Sequence, residues 1–335
     1  MEGNRCRRIC ISEWRMKGAD TTTVYARIHA VRPISGSDVI QLFLTTEDKL
    51  YEGNCMLIKV IKKQTIFLLK QKEASLTFIL LLAVVLGNYI TNVLTFRGTD
   101  VSQMYQPMKL LALSLNKVYF SANIQLLIVM IYPILVAVPA GFSYTKEQQT
   151  KEEVYMIYRL GKNRYLQSKL WASFFTTTIV FTVPFMLEIL MNMLSFPMNA
   201  IRDLSNLSIY NTDYATMVHN YIGSAIYIAS PGLYAILTTL FFGVVSGILG
   251  TLPVAISFVL TVKYRTLLIL PTFVLLNATT YLNILDRNKS SLSWYKYLLL
   301  FDDTPKNIIV PLMGVGIIII TILGFYLYGR NKDKW

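Results

Sequence analysis

Two stretches of the chain, 74–94 and 308–328, run for twenty-one residues each without one charged side chain. An α-helix needs roughly 20 apolar residues to cross the hydrocarbon of a bilayer. No water is present there to satisfy a peptide backbone, so only helices and closed barrels span membranes. The period-two alternation of barrel strands is absent from the sequence. The chain is therefore read as an all-α polytopic membrane protein. Composition supports this reading: charged residues make up 15% and hydrophobic residues 54%, against about a quarter charged in soluble domains.

Six spans are placed, at about 74–94, 122–142, 171–195, 229–261, 266–284 and 308–328. The fourth is too long for one perpendicular helix. Pro231 and Pro253 predict kinks or a late start, and a split near Gly250 would change the topology. Lysine and arginine then set the orientation. With the amino terminus inside, the inner segments hold about twice as many as the outer ones, which places both termini in the cytoplasm. Reading 229–261 as one span puts Lys263 and Arg265 inside and favours six spans over seven. The net charge of +13 follows from these loop cations. It does not point to nucleic acid, for which no zinc-finger or RNP signature is present.

Residues 1–55 are mixed, charged and without an apolar span, and no apolar run follows the early arginines as a signal peptide would require. This segment is expected to be a disordered or non-native extension, with the functional chain starting at Met56. The three cysteines, Cys6, Cys10 and Cys55, all fall before the first span, with no third ligand at metal spacing, so no metal site is predicted. The histidines, His29 and His219, lie outside the spans. From Met56 to Glu73, Leu57, Ile58, Ile61, Phe67 and Leu68 alternate with lysines, as in a helix lying in the inner membrane interface. The domain proper is 56–335.

The loop between the second and third spans, Tyr144 to Lys169, is the most informative segment. Lys146, Glu147, Lys151, Glu152, Glu153, Arg159, Lys162 and Arg164 surround Val154, Tyr155, Ile157, Tyr158 and Leu160, an apolar stripe for a short helix. Gly161 ends that helix, and a second helix starts at Arg164 and Tyr165. Such a hairpin suits a groove on a soluble partner; periodicity alone is equally satisfied by a solvated loop.

Glu147 and the run Tyr158-Arg159-Leu160-Gly161-Lys162-Asn163-Arg164-Tyr165-Leu166-Gln167-Ser168-Lys169-Leu170 resemble the corresponding loop in membrane subunits of ABC-2-type exporters. In that family an acidic residue after span two precedes a short coupling helix, and a lysine follows at the start of span three. The layout of 56–335 is similar too: a basic interfacial helix, six spans, both ends inside, and an outer segment, Ser290 to Asn307, before the last span. The sequence departs from the family at Gln148-Gln149-Thr150-Lys151-Glu152-Glu153, where a Glu-x-x-x-Gly-Thr type of run is common. The resemblance implies a permease of the cytoplasmic membrane, of bacterial type, that pairs with a second permease subunit and with a separate ATP-binding-cassette ATPase. It implies export of an amphipathic or apolar substrate such as a peptide, antibiotic or lipid-linked molecule. It also implies that Glu147, Glu152, Glu153, Tyr158, Arg159, Gly161, Lys162, Arg164 and Tyr165 couple to the ATPase. ATP and magnesium would bind the partner. The chain itself has no Gly-x-x-x-x-Gly-Lys-[Ser/Thr] loop and is not expected to be an enzyme.

Within the spans, Glu188 is the one carboxylate well inside a helix, with Asn192 a turn later. A charge there is costly and faces the interior or a partner. It lines a substrate path, or it bonds a neighbouring helix near the outer end of span three. Asn88 and Asn277 are read as interhelical glue, and Met186, Met191 and Met193 as packing residues or a pliable substrate wall. Gly243, Gly247 and Gly250 mark a face for close helix approach, within the chain or between two permeases. The aromatic start of 293–301 suits an interfacial helix. A membrane-embedded enzyme would need convergent His, Asp, Ser or Cys, and the spans hold no His and no Cys. An ATP-independent carrier or sensor is the alternative, although the inverted repeat common in such carriers is not visible.

Overall fold

The computed structural model describes residues 57–100, 107–113, 130–197, 223–260, 262, 264–282, 294, 297 and 309–332. The expectations for 1–55 and most of those for 283–308 lie outside these residues. The elements are α1 (57–69), α2 (Lys72–Thr95), a 3-10 turn (Pro107–Leu110), α3 (130–135), α4 (Val138–Gly141), α5 (Ser143–Thr150), α6 (Glu152–Leu160), α7 (Lys162–Ser195), α8 (Ser224–Ala229), α9 (Pro231–Val259), α10 (Ile269–Leu282) and α11 (Ile309–Asn331). A second 3-10 turn, Arg265–Leu268, leads into α10. Every regular element among the described residues is helical.

Four helices among the described residues are long and apolar enough to cross a membrane: α2, α7, α9 and the Leu312–Asn331 part of α11. The second and fifth expected spans are described only in part. The described part of the second, 130–142, bends at 136–137 before Pro139 restarts a short helix. The described part of the fifth, α10, has 14 residues, or about 21 Å at 1.5 Å per residue. The third is longer than its apolar stretch: α7 begins at Lys162 rather than 171, and its 34 residues extend about 51 Å. Its first two turns therefore carry the polar residues of the loop.

The fourth expected span is one unbroken helix. Ser230 caps α9 by accepting from the Leu233 N–H at 3.4 Å, with Pro231 in the first turn, where a missing N–H costs nothing. Pro253 lies inside α9 and the helix is not split at Gly250. Gly141 of α4 packs on this proline, so close that a Cβ there would lie 3.1 Å from the Pro253 Cβ.

Helices α7 and α9 form the central pair, with α2 against α7 and α11 against α9. The buried positions of α2 (Ala74, Thr77, Leu81, Val85, Asn88 and Asn92) step by three and four and trace one stripe. From Leu249 to Phe258 every residue of α9 is buried. Between α7 and α9, Gly243, Gly247 and Gly250 meet Thr182, Thr178 and Thr177, so this glycine face serves packing within the chain. By contrast, Leu76, Ile79, Leu190, Leu240, Ile317 and Ile320 point outward, as side chains facing lipid do. In α1, Gln64, Thr65 and Leu68 are buried, while Ile58, Ile66 and Phe67 are exposed. The interfacial character read from its lysines thus extends to an outward apolar face.

Candidate functional site

The loop between α4 and α7 folds into two short helices rather than one. Lys151 separates them in the left-handed region, with φ 60°. Glu152 and Glu153 stand in the first turn of α6 and Arg159 in its last, each favourable to the helix dipole. Gly161 ends α6 at φ 78°, its N–H donating to the Ile157 carbonyl. That backbone angle favours glycine. The α7 helix then starts at once, two residues earlier than the sequence suggests.

Beneath the hairpin lies a buried polar cluster. The Lys169 ammonium contacts Glu147 Oε1 at 2.5 Å, and the Tyr165 hydroxyl donates to Glu147 Oε2. The Tyr144 hydroxyl donates to Glu153 Oε1. Lys169 is 1% exposed and Tyr165 fully buried. Tyr165 and Lys169 share a face of α7 because they are four residues apart. Tyr144 packs edge-to-face on Phe258, with centroids 4.8 Å apart, and together with Tyr165, Leu166, Val254 and Tyr326 closes an apolar shell around the charges. Burial first, then the Glu153 hydrogen bond and charge, push the Tyr144 hydroxyl well above its ordinary pKa, so it stays a donor. Further ties surround this cluster. Arg265 Nε donates to Gln149 Oε1 at 2.7 Å, and Lys162 Nζ donates to the Lys332 carbonyl at 2.6 Å. Lys332 Nζ in turn reaches the Val259 carbonyl at the end of α9.

The residues singled out in this loop therefore fall into two sets. Glu147, Glu153 and Tyr165 face inward: Glu147 bonds Tyr165 and Lys169 of α7, and Glu153 bonds Tyr144 within the hairpin. Glu152, Tyr158, Arg159, Gly161 and Arg164 are exposed, and Lys162 is half-buried with its ammonium committed to Lys332. The apolar stripe of α6 also divides: Met156, Ile157 and Leu160 pack inward, whereas Val154, Tyr155 and Tyr158 face solvent, Tyr158 at 92% exposure. Tyr144 and Gln149 were not recognisable as site residues from the sequence. For Lys169, the signal was the lysine at the start of span three that the resemblance carries.

Glu188 is 1% exposed on α7. Its Oε1 accepts from Asn88 Nδ2 at 2.7 Å and from the Ala112 N–H at 2.8 Å. Asn88 Nδ2 and Asn92 Nδ2 also donate to the Leu110 carbonyl. The carboxyl thus ties α2 and α7 to the buried turn 107–113, whose Met108, Leu110, Leu111, Ala112 and Leu113 are almost fully enclosed. Asn192 is fully buried a turn further on. Asn88 is the interhelical link the sequence suggests. Asn277 is not: its Nδ2 bonds the Phe273 carbonyl of its own helix. Met186 and Met191 pack against the core, and Met193 faces outward. Trp294 stacks on Tyr132 with centroids 4.7 Å apart.

The chain matches no protein-family model, no curated protein and no solved structure.

The hairpin is held by buried charges on one side and presents aromatic and basic residues on the other. Among the described residues, no group of three or more His, Cys, Asp or Glu side chains is placed to hold a metal.

Proposed function

We propose that this chain is the permease subunit of an ABC-2-type exporter in the cytoplasmic membrane of a bacterium. It has six spans with both termini inside and works with a second, identical or related, permease subunit. ATP hydrolysis on a separate ATP-binding-cassette ATPase drives an amphipathic or apolar substrate across the membrane.

One observation carries the reading: Glu153 ties α6 to Tyr144 of α5, and Glu147 ties α5 to Lys169 of α7, while Val154, Tyr155 and Tyr158 point away from the protein. An isolated solvated loop has no reason to fix such a face. Rigid attachment to α7, a helix long enough to cross the membrane, lets a push on α6 bias the pathway between two states. The exposed aromatics beside Arg159 and Arg164 suit a groove on a soluble partner. A second reading, an ATP-independent carrier, draws on the buried carboxyl of Glu188, since coupling carboxylates in such carriers lie inside the bundle.

Purification of the tagged chain from native membranes in mild detergent is expected to bring down a protein with a Gly-x-x-x-x-Gly-Lys-[Ser/Thr] loop. In Gly161→Pro and Arg164→Glu that partner should be lost, or its ATPase activity should no longer drive transport, while the spans stay folded. Gly161 has open space around it, so the proline acts through the φ 78° backbone and not through a clash. A chain that purifies alone under every mild condition would move the assignment to the carrier.

A further inference from the structure

We infer that Glu188 binds one monovalent cation, a proton or a sodium ion, in a buried cradle shared with Asn88, Asn192 and the turn 107–113. Glu188, Asn88 and Asn192 are at most 1% exposed. The donors that reach the carboxyl are Asn88 Nδ2 and the Ala112 N–H, and both are neutral. Among the described residues no cationic side chain pairs with it. A carboxylate inside a membrane-crossing helix is costly unless its charge is answered.

A second observation points to a ligand. Asn88 Oδ1, Asn192 Oδ1 and Asn192 Nδ2 have no hydrogen-bond partner, although leaving a buried amide unsatisfied costs about 1–3 kcal/mol per group. Asn192 lies on the same buried stripe of α7 as Glu188, as Asn92 does relative to Asn88 on α2. Two of the three unpartnered atoms are acceptor oxygens, on residues of the buried stripes of α2 and α7. One positive charge answers the carboxylate and can be shared with the two orphan oxygens, Asn88 Oδ1 and Asn192 Oδ1. A divalent ion would ask for more ligands and more negative charge than one carboxylate supplies.

The charged residues of the surrounding elements are few. Lys72 and Glu73 stand at the opposite end of α2, and Lys162, Arg164 and Lys169 at the opposite end of α7. Helix α9 has none, and Lys109 belongs to the turn itself. The site needs no ATPase, so its test is separate from that of the exporter reading.

The experiment uses the full chain in detergent, in sodium, potassium or choline chloride at equal ionic strength, from mildly acidic to mildly alkaline pH. The unfolding temperature and the infrared carbonyl band of a protonated carboxylic acid are both read. If the ligand is sodium, the unfolding temperature rises saturably over choline, by roughly 5–10 °C at a hundredfold excess over Kd. If it is a proton, the acid band is present and the unfolding temperature falls as pH rises. Either response should vanish in Glu188→Gln. In Asn192→Leu it should need about tenfold more sodium, or the acid band should be lost at a midpoint about one pH unit lower, and this variant decides the matter if Glu188→Gln fails to fold. Lys109→Met should keep the response. The inference is overturned if wild type shows neither response, if Glu188→Gln keeps it, or if Asn192→Leu leaves the midpoint unmoved. It is equally overturned if Lys109→Met abolishes the response, since the counter-charge would then be a lysine.

Discussion

Glu147→Ala should lower the stability of the folded chain by about 3–5 kcal/mol, the usual result of stripping a buried ion of its partner. The Lys169 ammonium is 1% exposed, whereas the Glu147 side chain keeps 12% of its surface in contact with solvent. The two single variants are therefore unequal. Lys169→Met leaves a carboxylate that water partly reaches and that still accepts from Tyr165, so it should cost less than Glu147→Ala. The double variant Glu147→Leu, Lys169→Met removes both charges and should recover most of that loss, but it leaves the buried Tyr165 hydroxyl without its acceptor and should stay about 1–3 kcal/mol below wild type. Thermal unfolding of detergent-solubilised wild type, Glu147→Leu, Lys169→Met and the double variant closes the cycle. A Glu147→Ala protein as stable as wild type would show that the pair does not hold the hairpin. If the double variant is stable but no longer couples to its partner, the pair acts in transmission as well as in packing.

The parts of this fold legible in the sequence are those that a long-range solvent effect writes in one dimension. Runs such as 74–94 announce a helix of membrane length because lipid allows no other backbone solution. Gly161 was legible because a positive φ is cheap only for glycine. The turn at Lys151 was not, since lysine carries no preference for that conformation and the charges on both sides read equally well as one solvated segment. The same limit applies within the site. Glu147 and Tyr165 are eighteen residues apart, and only the folded hairpin brings them to Lys169. Glu188 announced itself as an oddity in an apolar helix, but its partner Asn88 lies a hundred residues away, and the Ala112 N–H has no sequence signature at all. The division of the α6 stripe into inward Ile157 and outward Tyr158 was likewise invisible. Both faces carry large apolar groups, and only the position of α7 decides which is covered.

The α7–α9 contact yields the other large effect. A Cβ built at Gly243 falls 1.8 Å from Thr182 Oγ1, and one at Gly247 falls 2.2 Å from Thr178 Oγ1 and 2.9 Å from the Phe174 ring. At such distances the helices must part or the threonines must turn. A β-branched side chain within a helix has few rotamers to turn to, so Gly243→Ala and Gly247→Ala should each cost about 1–3 kcal/mol, and Gly247→Leu should leave no folded protein in detergent extracts. Thr178 and Thr182 differ in what relieves the clash. At Gly243 the next atoms are the Thr182 Cβ at 3.1 Å and the Thr178 carbonyl at 3.5 Å, so Thr182→Ala should rescue most of the loss in Gly243→Ala. Its own cost is small, because the Thr182 hydroxyl makes no hydrogen bond. At Gly247 the phenyl ring remains after Thr178→Ala, so the double variant should stay impaired until Phe174 is also reduced to leucine. Unfolding temperatures of the paired variants measure this asymmetry directly. Equal rescue at the two glycines would mean that the helices separate as a unit and that no single threonine or ring sets their distance.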